Sequence, residues 1–138
     1  LEYSNEVITL TEKVINMEKQ IDIIKNVLTL SETVMEGLLH IQSALNERQL
    51  EETMFLFEDI IQAFATIEGA INNLDSTYKS EEIIDKTTKV QQGLEVAVQQ
   101  YEVKHRGKLQ EVLQFNLLPS VKKWRQELEN GFQKYVIN

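Results

Sequence analysis

Two histidines and 22 carboxylates are the main chemical resources of this 138-residue chain, which has no cysteine. Glu102-Val103-Lys104-His105 carries the Glu-x-x-His spacing that puts a carboxylate and an imidazole on one helical face, as in the carboxylate-bridged di-metal sites of helical bundles. Such a site needs a second copy and a further Glu from each of two other helices. The only other histidine, His40, follows Glu36 by four residues rather than three. The apolar pattern also lapses at Arg106-Gly107-Lys108, where a dry, rigid site is hard to build. Ser31, Ser43 and Ser80 sit at cap or helical positions with no histidine close in sequence to activate them. Glycine-rich phosphate loops and the zinc-protease and EF-hand spacings are absent from the sequence. The expectation is therefore a protein that is not an enzyme, with no catalytic, cofactor-binding or metal-ligating residues. A di-metal enzyme remains only as an alternative.

Trp124, the single tryptophan, lies among Lys122, Lys123 and Arg125. An indole in this setting packs first of all in a core, with an interface anchor as the alternative role. Met17, Met35 and Met54 read as gap-filling core residues.

Long helices must carry these side chains, because one Pro and five Gly are too few turn-formers for an all-β chain. Tyr3, Val7, Leu10, Val14, Met17, Ile21, Ile24 and Leu28 follow the 3-4 spacing of a coiled-coil seam. That spacing keeps one stripe of a helix facing a partner. Val7, Val14 and Ile21 suit the a positions of a two-stranded parallel coil, yet Ile8, Ile15 and Ile23 widen the stripe. The width predicts a first helix over residues 2–28 lying inside an antiparallel bundle.

Thr29 and Glu32 have capping-box spacing, and Ser31 can cap alone, so a break is expected at Thr29–Ser31. Met35, Leu38 and Leu45 would also extend the first register. The next helix is expected to end near Asn46, and a third over about residues 49–75 to hold the densest apolar face. That face reads Leu50, Met54, Phe57, Ile61, Phe64, Ile67, Ile71 and Leu74. Ser80, followed by Glu81 and Glu82, should cap a fourth helix carrying Ile83, Ile84, Val90, Leu94, Val98 and Tyr101. Gly93 within it marks either close packing or a tolerated weakness of about 1 kcal/mol. Gly107 is the expected helix stop. The last helix, from Leu109 to about Val136, should kink or split near Leu118, since Pro119 lacks a donor and clashes with the preceding turn. The expected fold is all-α, an up-and-down bundle of four to five helices, in one domain over residues 1–138.

The net charge of −8 is uneven: residues 1–100 hold 18 acidic and 7 basic side chains, residues 101–138 hold 4 and 7. The basic C-terminal stretch is either an ordinary solvated face or a surface that docks on an acidic neighbour. The overall acidity disfavours nucleic acid as a partner. Apolar runs fall far short of the roughly 20 residues needed to cross a bilayer, so no membrane is expected. The absence of cysteine suits the reducing cytoplasm. No signal-peptide pattern opens the chain. It begins with Leu rather than Met, as a fragment of a longer protein would.

The stretch Leu113-Gln-Phe-Asn-Leu-Leu-Pro-Ser-Val-Lys-Lys-Trp124 resembles an ending, leucines then Pro then Trp, found in small acidic helical proteins of Bacillus-type bacteria. It spans about a tenth of the chain and brings no activity with it. In size, acidity and helicity the chain is also similar to flagellar and type III export chaperones. That likeness implies a protein that holds an amphipathic helix of a secreted substrate, without carrying over any functional residue. The residues themselves point first to a helical-bundle interaction domain. It would bind a partner helix or a second copy of itself through Tyr3, Val7, Leu10, Val14, Met17 and Trp124, without a cofactor.

Overall fold

A computed structural model describes residues 4–136. Helix α1 runs unbroken over Asn5–Ala44, with Ser4 as its cap. The Ser4 Oγ accepts from the Val7 N–H at 3.3 Å. The break expected at Thr29–Ser31 is not there. Thr29 Oγ1 donates to the Lys25 carbonyl at 3.1 Å and Ser31 Oγ to the Leu28 carbonyl at 2.8 Å, so both hydroxyls bond back into their own helix instead of capping a new one. The helix also has a reason to continue. Gln20, Ile24, Val27, Ser31, Val34, Leu38 and Ile41 are all buried, and they are spaced by alternating steps of four and three.

Helix α2 covers Leu50–Asn73, a 3₁₀ turn follows at Ser76–Tyr78, and α3 covers Glu81–Glu102. Ser80 caps α3 as expected, accepting from the Ile83 N–H at 3.2 Å. Helices α4 (Arg106–Val112) and α5 (Leu118–Val136) are joined through a π-helical stretch at Leu113–Leu117. No strand occurs among the described residues.

The π stretch is the local answer to Pro119. A proline ring collides with the carbonyl four residues back and gives that carbonyl no hydrogen bond. Widening the turn lets the Leu118 N–H reach back five residues to the Leu113 carbonyl, and the helix proceeds in a new direction. The last helix is thus kinked where the sequence placed the proline.

α3 ends at Glu102, five residues before Gly107. Lys104 adopts a left-handed φ of 56°. Its N–H donates to the Tyr101 carbonyl at 3.1 Å, and the His105 N–H to the Gln100 carbonyl at 3.0 Å. These two bonds form a Schellman motif with a lysine where glycine is usual. Gly107 instead lies in the first turn of α4, where the helix start is fixed by His105, whose Nδ1 accepts from the Lys108 N–H at 3.0 Å.

The helices form four columns in up-and-down order. α1 packs along α2 and α5, α3 packs along α4 and α5, and α2 meets α3 more loosely. Trp124 is fully buried at the centre. Its Nε1 donates to Thr87 Oγ1 at 3.0 Å, and its ring meets Phe64 edge-on at 5.4 Å. A second buried pair, Thr53 Oγ1 and the Tyr101 hydroxyl at 2.8 Å, ties α2 to α3. On α2 the core positions are Thr53 and Ile60, in place of the Met54 and Ile61 that the spacing favoured. Gly37 and Gly131 allow the columns to close, since a Cβ on either would come within 2.8 Å of Ile60 or Ile83. Gly93 is also a close-packing position: a Cβ there would meet Leu117 at 3.0 Å.

Two substitutions test this packing. Thr87→Val keeps the side-chain volume but leaves the Trp124 N–H buried without a partner, and should lower unfolding free energy by about 1–3 kcal/mol in chemical denaturation. Lys104→Gly removes the left-handed strain and should raise stability by about 0.5–1 kcal/mol in the same measurement.

Candidate functional site

Glu102 and His105 do not share one helical face. Glu102 is the last residue of α3 and His105 precedes α4, with the Schellman turn between them. Their three-residue spacing is therefore not a helical one, and His105 Nδ1 is engaged in capping. Among the described residues, no group of three His, Cys, Asp or Glu side chains is placed to hold a metal ion.

Helix length decides what remains. At 1.5 Å per residue, the 40 residues of α1 extend about 60 Å and the 24 of α2 about 36 Å. The excess lies at the N-terminal end. Burial on α1 begins at Gln20, and every residue from Asn5 to Lys19 is exposed. The bundle stops at this level because the α2–α3 turn folds over there. The Asp75 N–H donates to Gln20 Oε1 at 3.0 Å, and Asn16 Nδ2 donates to Asp75 Oδ2 at 2.9 Å. Tyr78 and Tyr135 meet at 4.9 Å beside that turn, so α5 also ends there. The first helix was expected to lie wholly inside a bundle. Its first three to four turns instead form a free arm.

This arm carries the candidate residues Val7, Leu10, Val14 and Met17, joined by Ile8 and Ile15, with side chains 46% to 63% exposed. Tyr3 lies outside the described residues. The sixth candidate, Trp124, belongs to the core. With no exposed surface and its N–H satisfied by Thr87, it cannot anchor a partner on this structure.

The arm's two flanks differ. Within the bundle, Ile23, Val27 and Leu30 line the groove shared with Thr66, Ile67 and Ala70 of α2. One and two heptads before Ile23 stand Asn16 and Thr9, and two and three heptads before Val27 stand Lys13 and Glu6, all polar. The opposite flank carries the half-buried Ile21, Leu28 and Met35, and α5 is the other helix packed along α1. One and two heptads before Ile21 stand Val14 and Val7. Between them and the shared positions Leu10 and Met17, the stripe stays apolar on the α5 side alone.

A second apolar feature was not anticipated from sequence. Met54, Phe57, Ile61, Val98 and Tyr101 line an open cleft of about 190 Å³ between α2 and α3, with Glu58 and Glu102 at its rim. It lies along the loosest seam of the bundle. Burial pushes the Tyr101 phenol above its ordinary value of 10.0, and its hydrogen bond with Thr53 offsets part of that rise. The sequence signal for the cleft was the extra width of the α2 face, where Met54 and Ile61 exceed what the core admits.

These features define a helical bundle with a protruding amphipathic arm. The chain belongs to the family described as a domain of unknown function (DUF8042), whose model matches residues 22–127. The match covers the bundle from just after α1 enters it and leaves the arm outside. No curated protein and no solved structure matches the chain. No helix among the described residues is long and apolar enough to cross a membrane.

The raised Tyr101 value makes alkaline stability a test of the cleft wall. The fold favours the neutral phenol, so this contribution is complete below pH about 10 and lost as pH climbs through the raised folded value. Thermal melts should show destabilisation above pH 10, and Tyr101→Phe should flatten that alkaline limb.

Proposed function

We propose that the protein is a non-enzymatic protein-interaction domain whose bundle is a rigid base for the α1 arm, and that the arm binds a helical partner. The observation that carries this reading is the exposed row Val7, Leu10, Val14 and Met17 on a helix that has left its own bundle. Scattered exposed apolar residues are normal on a protein surface, but a contiguous row at heptad spacing is the form that helix-to-helix recognition takes. The partner would lay its own apolar stripe along the arm, gaining from water exclusion, with Glu6, Lys13 and Glu18 at the edges setting which partners are tolerated.

A second reading, an export chaperone of the flagellar or type III kind, is favoured by the cleft between α2 and α3. Its apolar floor and its rim of Glu58 and Glu102 would receive one face of a substrate helix with a basic flank. The two readings use different surfaces.

Leu10→Glu combined with Val14→Glu tests the first. Both side chains are exposed and outside the core, so the thermal stability of the bundle should change by no more than about 0.5 kcal/mol. Affinity capture from the native organism should lose, with this double variant, the partner held by the wild type. Equal capture by both proteins, or loss only with Met54→Glu in the cleft, would remove the arm as the binding surface.

A further inference from the structure

The four columns close unevenly. α1 packs closely with α2 and α5, and α3 with α5, whereas α2 meets α3 loosely. That open seam is apolar inside. The rings of Phe57 and Tyr101, 4.8 Å apart, form its floor, with Met54 and Ile61 of α2 and Val98 of α3 beside them. Ile84, exposed and two heptads before Val98, continues the apolar row along α3.

The edges of the seam carry charge of one sign. Glu58 and Glu102 stand at the rim of the cleft. Glu51 lies one heptad before Glu58, Glu68 one heptad after Ile61, and Glu95 one heptad before Glu102, so each shares a flank with a cleft residue. Helix α2 holds five acids and no Lys or Arg, and α3 from Val90 onward holds two acids and no base. The ion pairs among the described residues join Lys86 and Lys89 to Asp85, Lys108 to Glu111 and Arg125 to Glu129, and none engages the seam acids. Arg48 and Lys104 lie in the turns at one end, before α2 and after α3. Like charges around an apolar furrow repel one another in the free protein. A cationic ligand with an apolar face relieves that repulsion while covering the furrow.

We infer that the α2–α3 seam binds a cationic amphipathic helix of another protein, with an apolar stripe flanked on both sides by Lys or Arg at heptad spacing. The inference rests on reading the protein as an interaction domain. It takes the cleft of the second reading rather than the arm, and gives the chemistry of its occupant. Length selects a helix: Glu51 and Glu68 are 17 residues apart on α2, about 25 Å, whereas a small cation would reach only one or two of the carboxylates. Periodicity points the same way. Glu51 and Glu58 on one wall, and Glu95 and Glu102 on the other, repeat every seven residues, the interval at which a helix returns its flanking residues to one side.

Charge also separates this occupant from a second copy of the chain. The arm from Asn5 to Lys19 holds three acids and two bases, so its flanks are not cationic. The exposed positions of α5 from Lys122 to Lys134 are basic in balance but all polar, with no stripe to fill the furrow. Nucleic acid and anionic lipid surfaces carry the wrong sign for an acidic rim.

The probe is a fluorescent 18-residue peptide of Leu and Lys, with Leu at the a and d positions of each heptad, titrated with the full chain and read by anisotropy. It should bind at micromolar concentrations. A peptide of the same composition with its Leu scattered around the helix should bind at least about tenfold more weakly. Glu58→Lys/Glu102→Lys should weaken binding by about tenfold or more. Glu12→Lys/Glu18→Lys on the arm makes the same change in net charge and should alter it by less than about threefold. All four carboxylates are exposed, so melting curves should stay close to wild type. Equal weakening by the two charge reversals would overturn the seam as the site, and equal binding of the scattered peptide would overturn the apolar furrow. No binding into the hundreds of micromolar would overturn the inference outright. Leu10→Glu/Val14→Glu should bind the peptide as the wild type does, and loss of binding there would move the site to the arm. Failure at the seam leaves the arm to the capture comparison, which judges it separately.

Discussion

The structure depends on a row of 4-3 spacing along α1 that is buried from Gln20 onward and changes flank at Met17, where two successive steps of three lead back into the exposed Val14, Leu10 and Val7. From Gln20 to Leu45 the row is filled by α2 and α5 and is nearly inaccessible to water. Burying such side chains is worth roughly 1.5–3 kcal/mol each, which is where the bundle finds its stability. Before Gln20 the same helix has the same backbone and similar apolar content, but apart from the hydrogen bond of Asn16 to Asp75 its described residues stand exposed. The two halves are held in one rod because helix propagation costs little once a nucleus exists. Stability generated in the bundle therefore extends order into the arm.

Polar groups set how the columns meet. Hydrophobic contact is non-directional, and a four-column bundle of Ile and Leu would allow its helices to slide. Thr87 with Trp124 fixes α3 against α5, and Thr53 with Tyr101 fixes α2 against α3. In each case the threonine hydroxyl also donates to or bonds within its own helix, to Ile83 or Leu50. Each hydroxyl thus has its partners, and sliding by a residue would leave both an aromatic donor and a threonine unsatisfied. The ends are tied similarly: Arg106 donates to the Leu45 carbonyl, and Lys79 Nζ donates to the Asn72 carbonyl at 3.1 Å.

Much of this could be read from residue order, and the errors have physical causes. The all-α class, the Ser80 cap and the kink at Pro119 follow from local rules that tertiary contacts did not override. The break at Thr29–Ser31 was wrong because a hydroxyl can cap a new helix or bond back into an existing one. The deciding fact, burial of Ser31 in a seam, is not local. Gly107 lost its role as stop because Lys104 accepted the left-handed conformation despite its Cβ. Trp124 could not be assigned from its basic neighbours, since those lysines sit on the outer face while the indole points inward. The arm was the hardest feature to see. Its spacing looks like that of any buried helix, and what leaves it bare is the shortness of α2, α3 and α5, which is a property of other segments.

The two halves of α1 answer to different constraints. The family match opens at residue 22, within one turn of the first buried position, so the shared unit and the packed core begin together. Upstream, a helix answering only to solvent would be polar all round, since an unpartnered surface helix gains nothing from Val7, Leu10, Val14 and Met17 at heptad positions. A helix answering to the same bundle would instead keep apolar residues on the α2 flank, where Glu6 and Lys13 stand. The arm does neither, remaining apolar on one flank and becoming charged on the other. That asymmetry fits the proposed interface with a neighbour on the α5 side and none on the α2 side. It is the observation on which the proposal of an interface at this segment rests.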